Sequence, residues 1–473
     1  MTSTAAPATT SLDDVGTWLR DRLPALVAQH EVPGAAVAVL VGNQVVDAAA
    51  GLLSTATEVE ATPDSVFQIG SITKVWTASL VLQLVDDGLV ELDGPVRRYL
   101  PEFRLGDEEA AAAITVRQLL SHTAGFEGDV FTDTGRGDDC VEKFVATLGD
   151  LDQLFPPGQQ FSYNNAGYSV LGRLVEVLRG KAYDDCLRDH LIAPLGLGTA
   201  SPGPYEAILH RVAVGHLRPE PGAEQVPAPV WSLVRSNGPA GSTLAMSARD
   251  LLGFARMHLD GGTAPDGTVV LARGTVAAMQ EEQVRLPALR VLGDAWGLGW
   301  ELYDADTFGG TRVVGHDGNT IGQASFLRVL PEQGIAVALL TNGGNPYGLF
   351  HDVVGHVLQE LVGTPLPALP APPAEPVPVD VARVLGTYAN LSAEIVVEQD
   401  DDGRIWRRLR PLSEVAELSE SPARDELVGL DVDSLVPVVG EMGLHVPHVF
   451  LGDDGHGRAR YLHVGRAIPR VAD

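Results

Sequence analysis

A serine and a lysine three residues apart, Ser71 and Lys74, are the pair in this sequence best suited to nucleophilic chemistry. A serine hydroxyl is a weak nucleophile at its ordinary pKa and needs a neighbouring base. If Ser71 opens a helix, Lys74 follows one turn later on the same face, within reach of the hydroxyl. A buried lysine can lose its proton near neutral pH, whereas arginine cannot. Only three of the 33 basic residues are lysine, so a lysine at this position suggests a functional requirement for a titratable amine. A serine and a lysine at this spacing can also occur by chance.

A second candidate cluster lies at residues 161–168, between the turn Pro156-Pro157-Gly158 and a predicted helix. A tyrosine held beside a lysine cation can have its phenol pKa lowered and act as a proton shuttle, which is the role suggested for Tyr163. Asn165, two residues later, can donate a hydrogen bond to a carbonyl. Taken alone, Tyr163 could equally be a packed aromatic residue with a hydrogen-bonded hydroxyl.

The third cluster is His316, Gly318 and Asn319, followed by a strand-like run at residues 324–329. A small residue on an edge strand lets a backbone N–H approach a ligand closely, and a histidine beside it can support charge in the pocket. On its own, this cluster could also be a turn with a surface histidine.

Other familiar catalytic signatures are absent from the sequence. There is no Gly-x-Ser-x-Gly turn, no His-Glu-x-x-His and no Gly-x-x-x-x-Gly-Lys, so the sequence favours neither an α/β-hydrolase nor zincin or P-loop chemistry. The histidine pairs, such as His351 with His356, lack a carboxylate or thiolate at ligand spacing. We therefore expect no metal site and no cofactor.

The three clusters must be positioned by elements that hydrophobic periodicity and turn residues predict. Predicted helices cover residues 12–30, 71–88, 116–120, 168–178 and 248–259. Predicted strands cover residues 35–41, 44–50, 323–329 and 334–341, with further short strands at 394–397, 405–409, 446–451 and 460–464.

A change in composition divides the chain. Residues 363–379 contain seven prolines, which favour an extended spacer over regular hydrogen-bonded structure. We therefore predict a catalytic domain at residues 1–363, a proline-rich linker at 364–379 and a small antiparallel β domain at 380–473. The sequence of the last of these carries no chemical signal.

The formal net charge of −29 excludes whole classes of partner. A chain this acidic repels phosphate backbones and anionic headgroups, so neither nucleic acid nor a membrane surface is expected as a partner. The first twelve residues have neither a basic region nor an apolar run typical of a signal peptide. Together with two cysteines that lack C-x-x-C spacing, this predicts a cytoplasmic protein with free thiols.

The order Ser-x-x-Lys, Tyr-x-Asn, His-x-Gly is far more specific than any one cluster. In it the chain resembles the serine β-lactamase and penicillin-binding superfamily, in the class C β-lactamase-like branch with D-peptidases and esterases. A tyrosine motif stands in place of the Ser-Asp-Asn element of the class A enzymes. The resemblance spans roughly residues 15–344.

The resemblance implies an α+β, β-lactamase-like fold, in which an antiparallel sheet is flanked by helices and carries an all-α subdomain. It implies that Ser71 becomes acylated, that Lys74 and Tyr163 move protons, and that Asn165 holds the acyl-side carbonyl. Backbone N–H groups of Ser71 and Asn319, with Gly318 beside them, would form the oxyanion hole.

One residue departs from the class C pattern, because His316 stands where efficient β-lactamases have a lysine. A histidine is mostly neutral near its reference pKa, which weakens recognition of an anionic lactam or a peptide carboxylate. The leading hypothesis is a serine hydrolase that cleaves a small-molecule ester or amide, with a D-amino-acid peptide or a lactam among the candidates. The alternatives are an acyltransferase with the same acyl-enzyme and a non-turnover penicillin-binding or assembly protein. A homo-oligomer is left open.

Overall fold

A computed structural model describes residues 10–219, 222–413 and 424–471. The strands before the proline-rich segment are β1 (Gly34–Val41), β2 (Gln44–Ser54), β3 (Val59–Glu60), β4 (Phe67–Gln68), β5 (His216–Leu217), β6 (Val226–Pro227), β7 (Ala245–Met246), β8 (Val284–Arg285), β9 (Ala295–Trp296), β10 (Glu301–Tyr303), β11 (Val313–Asn319), β12 (Ala324–Leu330) and β13 (Ile335–Thr341). Within the described residues, nine of them form one antiparallel sheet in the order β3-β2-β1-β13-β12-β11-β10-β9-β8. Strands from the two ends of this region therefore meet at the centre of the sheet, where β1 pairs with β13.

Helices cover both faces of this sheet. They are α1 (Leu12–Gln29), α2 (Thr73–Asp86), α3 (Glu108–Ala113), α4 (Val116–Leu120), α5 (Cys140–Ala146), α6 (Asn165–Arg179), α7 (Tyr183–Leu187), α8 (Ala193–Leu195), α9 (Pro204–Ala207), α10 (Ala248–Leu259), α11 (Arg273–Met279) and α12 (Pro346–Val362). Helix α1 begins at Ser11, which forms a capping box with Asp14. Among the described residues, no helix has the length and apolar character needed to cross a bilayer.

Two apolar cores lie on opposite faces of the sheet. Leu19 of α1 and Val353 of α12 belong to the core on one face. The other core is shared by α2, α10 and the helical region α3–α7, and Trp76 stacks on Phe254 there with ring centroids 4.1 Å apart. Helix α2 is buried on all sides from Thr73 to Leu84, as expected of a helix that is apolar around its whole circumference. The helix that follows the serine is therefore held at the centre of the molecule.

The C-terminal region forms a second antiparallel sheet, which confirms the expected small β unit. Its elements are α13 (Val381–Val384), β14 (Gly386–Ala389), β15 (Ala393–Gln399), β16 (Ile405–Pro411), β17 (Arg424–Asp431), β18 (Ser434–Pro437), β19 (His448–Leu451), β20 (Tyr461–His463) and β21 (Ala467–Pro469). Each strand pairs with the next, and Tyr388 bridges to Arg470, so that the first strand meets the segment just after the last. The sheet curls around an apolar core that includes Ile395, Leu427 and Leu462.

The proline-rich segment joins these two parts without a helix or strand of its own. Helix α12 ends at Gly363, which takes a left-handed conformation with φ 69°. Farther along, the Val377 amide donates to the Gly429 carbonyl at 2.9 Å, so the segment rests on the C-terminal sheet. The limits 1–363, 364–379 and 380–473 stay a prediction.

Candidate active site

Ser71 lies in a 3-10 turn, Gly70–Ile72, that runs directly into α2. Lys74 falls in the first turn of that helix, and its Nζ is 3.2 Å from the Ser71 Oγ. The predicted spacing of one helical turn therefore brings the amine to the hydroxyl.

The Lys74 ammonium group is enclosed by protein. Its side chain is fully buried, and Nζ donates to the Ala240 carbonyl at 2.6 Å. The Tyr163 ring centre lies 4.7 Å from Nζ. Burial, reinforced by the positive charge of Arg466, lowers the Lys74 pKa well below its ordinary value. The site thus favours the neutral amine, which can accept a proton.

Tyr163 is the third predicted residue beside the serine and the lysine. Its phenol interacts with the Ser71 hydroxyl in a way that favours the phenolate, and only 6% of the Tyr163 surface is exposed. Burial raises its pKa, whereas the sequence had suggested a lowered one. The difference arises because desolvation of the phenolate outweighs the Ser71 interaction and the nearby Arg466 charge. Tyr163 therefore carries its proton near neutral pH and is suited to donate it.

Asn165 is the first residue of α6, three residues earlier than the predicted start of that helix. The Asn164 side chain caps the helix by accepting from the Gly167 amide at 2.6 Å. The Asn165 Nδ2 donates to the Asp129 Oδ1 at 2.8 Å, which fixes the orientation of the amide.

Strand β11 brings the third cluster to the serine. Strand β10 pairs with β11 only over residues 313–315, so residues 316–319 form a local edge, in agreement with the expected edge strand. A Cβ atom at Gly318 would lie 2.0 Å from the Ile69 carbonyl oxygen and 2.9 Å from the Ser71 nitrogen. Because Gly318 has no side chain, the turn that carries Ser71 packs directly on the strand, next to the Asn319 backbone.

His316 is buried beside this edge, with 1% of its surface exposed. Its Nδ1 lies 2.6 Å from the Asp317 carbonyl oxygen and 3.7 Å from the Glu301 Oε1. Burial lowers the His316 pKa to about 3, and burial raises the Glu301 pKa to about 8. The environment favours a neutral imidazole, in line with the expectation that a histidine at this position carries no permanent charge.

A cavity of about 460 Å³ opens between the two parts of the chain. Five of the predicted site residues line it: Ser71, Tyr163, Asn165, His316 and Asn319. Another part of the wall comes from the C-terminal sheet and its loops, through Met442, Leu444, Val446, Val464 and Arg466. A volume of this size is typical of a small-molecule site.

The turn between β20 and β21, residues 464–466, docks on the tyrosine segment. The Tyr163 amide donates to the Gly465 carbonyl at 3.0 Å, and the Ala467 amide donates to the Ser162 Oγ at 3.1 Å. The Arg466 guanidinium pairs with Asp129 at 2.8 Å. Sequence reasoning missed Arg466 and Asp129, since neither stands in a recognisable motif and arginine is abundant in this chain.

The structure brings all seven predicted site residues together. Five of them line the cavity, the Lys74 amine contacts the Ser71 hydroxyl, and Gly318 packs against the Ser71 backbone. In residues 10–219, 222–413 and 424–471, no three His, Cys, Asp or Glu side chains form a group that could hold a metal ion.

Comparison with known proteins shows the family of the chain. The sequence profile of the beta-lactamase family matches residues 19–357. Penicillin-binding protein 4 of Amycolatopsis lactamdurans is 48% identical over 371 residues, which cover 78% of this chain and 96% of that protein.

Solved structures extend the similarity to the C-terminal part. The crystal structure of SurE is 31% identical, with a TM-score of 0.75 over 98% of this chain and 100% of that one, and SurE has also been solved with D-Leu. The D-amino acid amidase from Ochrobactrum anthropi SV3, complexed with D-phenylalanine, is 25% identical, with a TM-score of 0.61 over 74% of this chain and 99% of that one. The chain therefore belongs to the beta-lactamase family, within the superfamily of serine β-lactamases and penicillin-binding proteins.

Proposed function

We propose that this protein is a serine hydrolase that cleaves an ester or amide through an acyl-Ser71 intermediate. The observation that carries the proposal is the buried Lys74 Nζ, 3.2 Å from the Ser71 Oγ and with a lowered pKa. A neutral amine at this distance can accept the hydroxyl proton as Oγ attacks a carbonyl carbon.

The surrounding residues supply the rest of the acylation step. As the Oγ–carbon bond forms, Lys74 takes the serine proton, and backbone N–H groups of Ser71 and Asn319 bind the developing oxyanion. When the bond to the leaving group breaks, Tyr163 donates its proton to that group and regains one from Lys74. Asn165, held by Asp129, binds the carbonyl on the acyl side.

The deacylation step repeats these roles with a new nucleophile. Tyr163 passes its proton to the neutral Lys74 amine as it takes one from the attacking water, the bond between Oγ and the acyl carbon breaks, and Lys74 returns a proton to Ser71. The product is a carboxylic acid.

For the acyl group we propose a peptide or amino acid with a D residue at the reacting carbonyl. D-Leu is the ligand of a SurE structure, and the amidase from Ochrobactrum anthropi is named for D-amino acids. The neutral His316 supports this choice over a β-lactam, because it offers no permanent cation to a ligand carboxylate.

Acyl transfer to an acceptor other than water is a second candidate. The wall formed by Met442, Leu444 and Val446 adds apolar side chains to the cavity. Such a wall can bind an apolar acceptor or the remainder of a long acyl chain.

Incubation with a p-nitrophenyl ester of N-acetyl-D-leucine, its L enantiomer and a fluorescent penicillin tests these proposals. We expect steady turnover of the D ester, with a transient mass increase on Ser71, and neither in Ser71→Ala. Stable penicillin labelling without ester turnover would instead identify a penicillin-binding protein. Full activity of Ser71→Ala would refute the acyl-enzyme.

A further inference from the structure

His316 lies on the same side of β11 as the nucleophile. Side chains at positions i and i+2 of a strand point to the same face, so His316 shares the face of Gly318. That face carries Ser71, because a Cβ atom at Gly318 would lie 2.9 Å from the Ser71 nitrogen. The Tyr163 ring, which reaches Ser71 from the helical side, has its centroid 6.5 Å from that of His316.

The tautomer of His316 follows from its contacts. Nδ1 is 2.6 Å from the Asp317 carbonyl oxygen, and since a carbonyl only accepts, Nδ1 carries the ring proton. The opposite nitrogen, Nε2, then presents a lone pair. Nε2 is buried, and no hydrogen-bond partner for it exists among the described residues. A buried acceptor without a partner in the wall of a cavity calls for a ligand that donates to it.

Glu301 and its neighbours hold the imidazole in this orientation. The fully buried Glu301 places Oε1 3.7 Å from the His316 Nδ1 and accepts a hydrogen bond from the Tyr303 hydroxyl at 2.9 Å. The negative charge of Asp317 is balanced by Arg328. On the other side, the Trp296 ring packs edge-on against the imidazole at 5.3 Å. The ring therefore has little freedom to turn Nε2 away.

We propose that Nε2 of His316 is the hydrogen-bond acceptor that holds the group attacking the acyl-enzyme. This inference rests on the proposed function, because it concerns the second half of the same reaction. Water and primary amines carry two hydrogens on the attacking atom. One is taken by Tyr163 and Lys74 as the bond to the acyl carbon forms, and the other is donated to Nε2. Alcohols and secondary amines have a single hydrogen and cannot satisfy both partners.

Separate measurement of acylation and deacylation distinguishes the role of His316 from the roles of Ser71, Lys74 and Tyr163. A p-nitrophenolate leaving group has no hydrogen to donate, so acylation by an activated ester does not require Nε2. Deacylation by water does. The test compares acylation and deacylation rates in wild type, His316→Phe, which keeps an aromatic ring against Trp296, and His316→Gln, which keeps an acceptor.

We expect the ratio of deacylation to acylation rate, measured with N-acetyl-D-leucine p-nitrophenyl ester by burst kinetics and intact mass, to fall about tenfold or more in His316→Phe. His316→Gln should recover most of the loss. If His316→Phe does not fold, His316→Leu replaces it. An unchanged ratio in a folded variant without the acceptor would overturn the inference.

The choice of acceptor provides an independent readout. With glycinamide and its N-methyl counterpart sarcosinamide added as nucleophiles, wild type should prefer the primary amine more strongly than His316→Phe does. Equal preference in both proteins would count against the inference. Failure of the proposed function looks different, because the wild type itself would then form no adduct on Ser71.

Discussion

The guanidinium carbon of Arg466 lies 4.7 Å from the centre of the Tyr163 ring, over its face. Arg466 also forms an ion pair with Asp129, whose carboxylate accepts a hydrogen bond from the Asn165 amide as well. A residue of the C-terminal sheet region is thereby connected to two side chains of the candidate site, Tyr163 and Asn165. The second sheet therefore contributes to the candidate active site, in addition to lining the cavity.

Removal of the Arg466 charge should shift the pH dependence of the reaction. The positive charge lowers the pKa of both Lys74 and Tyr163, so Arg466→Met should raise both. The acidic limb of the kcat profile, which reports loss of the neutral amine, should then move upward by about one pH unit. Arg410→Met is the control, because Arg410 pairs with Glu394 on the exposed side of the same sheet. Coincident profiles for Arg466→Met and wild type would contradict this assignment.

A titratable amine at position 74 should be essential even where the charge is kept. Lys74→Arg cannot release its proton, and we expect kcat to fall by about 10²- to 10⁴-fold. Lys143→Arg is the matched control, since Lys143 is exposed and pairs with Asp139. Steady-state kinetics on the same ester, with circular dichroism to verify folding, provide the measurement. Comparable activity of the two variants would remove Lys74 from the mechanism.

The local part of the site was predictable from the sequence. One helical turn fixes the distance between Ser71 and Lys74, and the edge-strand interpretation of residues 316–319 needed only Gly318 and the strand that follows. These features depend on residues close together in the chain, for which spacing is sufficient information.

The non-local part was not predictable. Asp129 and Arg466 are 337 positions apart, and only the docking of the C-terminal sheet brings them together. The raised pKa of Tyr163 was missed for a similar reason. The phenol is desolvated by packing against residues such as His122 and Trp296. The sequence around position 163 contains no pattern that predicts this packing.

Replacing Gly318 by alanine should lower activity more than the same replacement at a glycine outside the site. A methyl group there would collide with the Ile69 carbonyl and displace the Ser71 backbone, so Gly318→Ala should lower kcat by about 10²-fold. Gly274→Ala adds the same methyl group where nothing lies within 4 Å, in helix α11, and should leave kcat unchanged. Kinetics and melting temperatures of the two variants give the comparison. Equal kcat values would show that the turn tolerates displacement.

Burial of Glu301 should make the stability of the protein depend on pH. The pKa of this carboxyl rises from 4.5 to about 8 on folding, so between these values the folded state retains a proton that the unfolded state has lost. Stability contributed by the protonated carboxyl is therefore complete below about pH 4.5 and is lost as the pH rises toward 8, by about 1.4 kcal/mol per pH unit. Glu301→Gln has no such proton.

The free energy of unfolding in urea at pH 5, 6.5 and 8 tests this difference between wild type and Glu301→Gln. We expect the variant to gain stability relative to wild type as the pH rises. Only the wild type has a core carboxyl that must take up a proton on folding, and this becomes less favourable at higher pH. Glu282→Gln, at a half-exposed surface position paired with Arg285, should follow the wild type at all three values. If the curves for wild type and Glu301→Gln ran parallel, Glu301 would be ionised in the folded protein. It would then act on His316 as a carboxylate, so the neutral imidazole inferred for the cavity would lose its support.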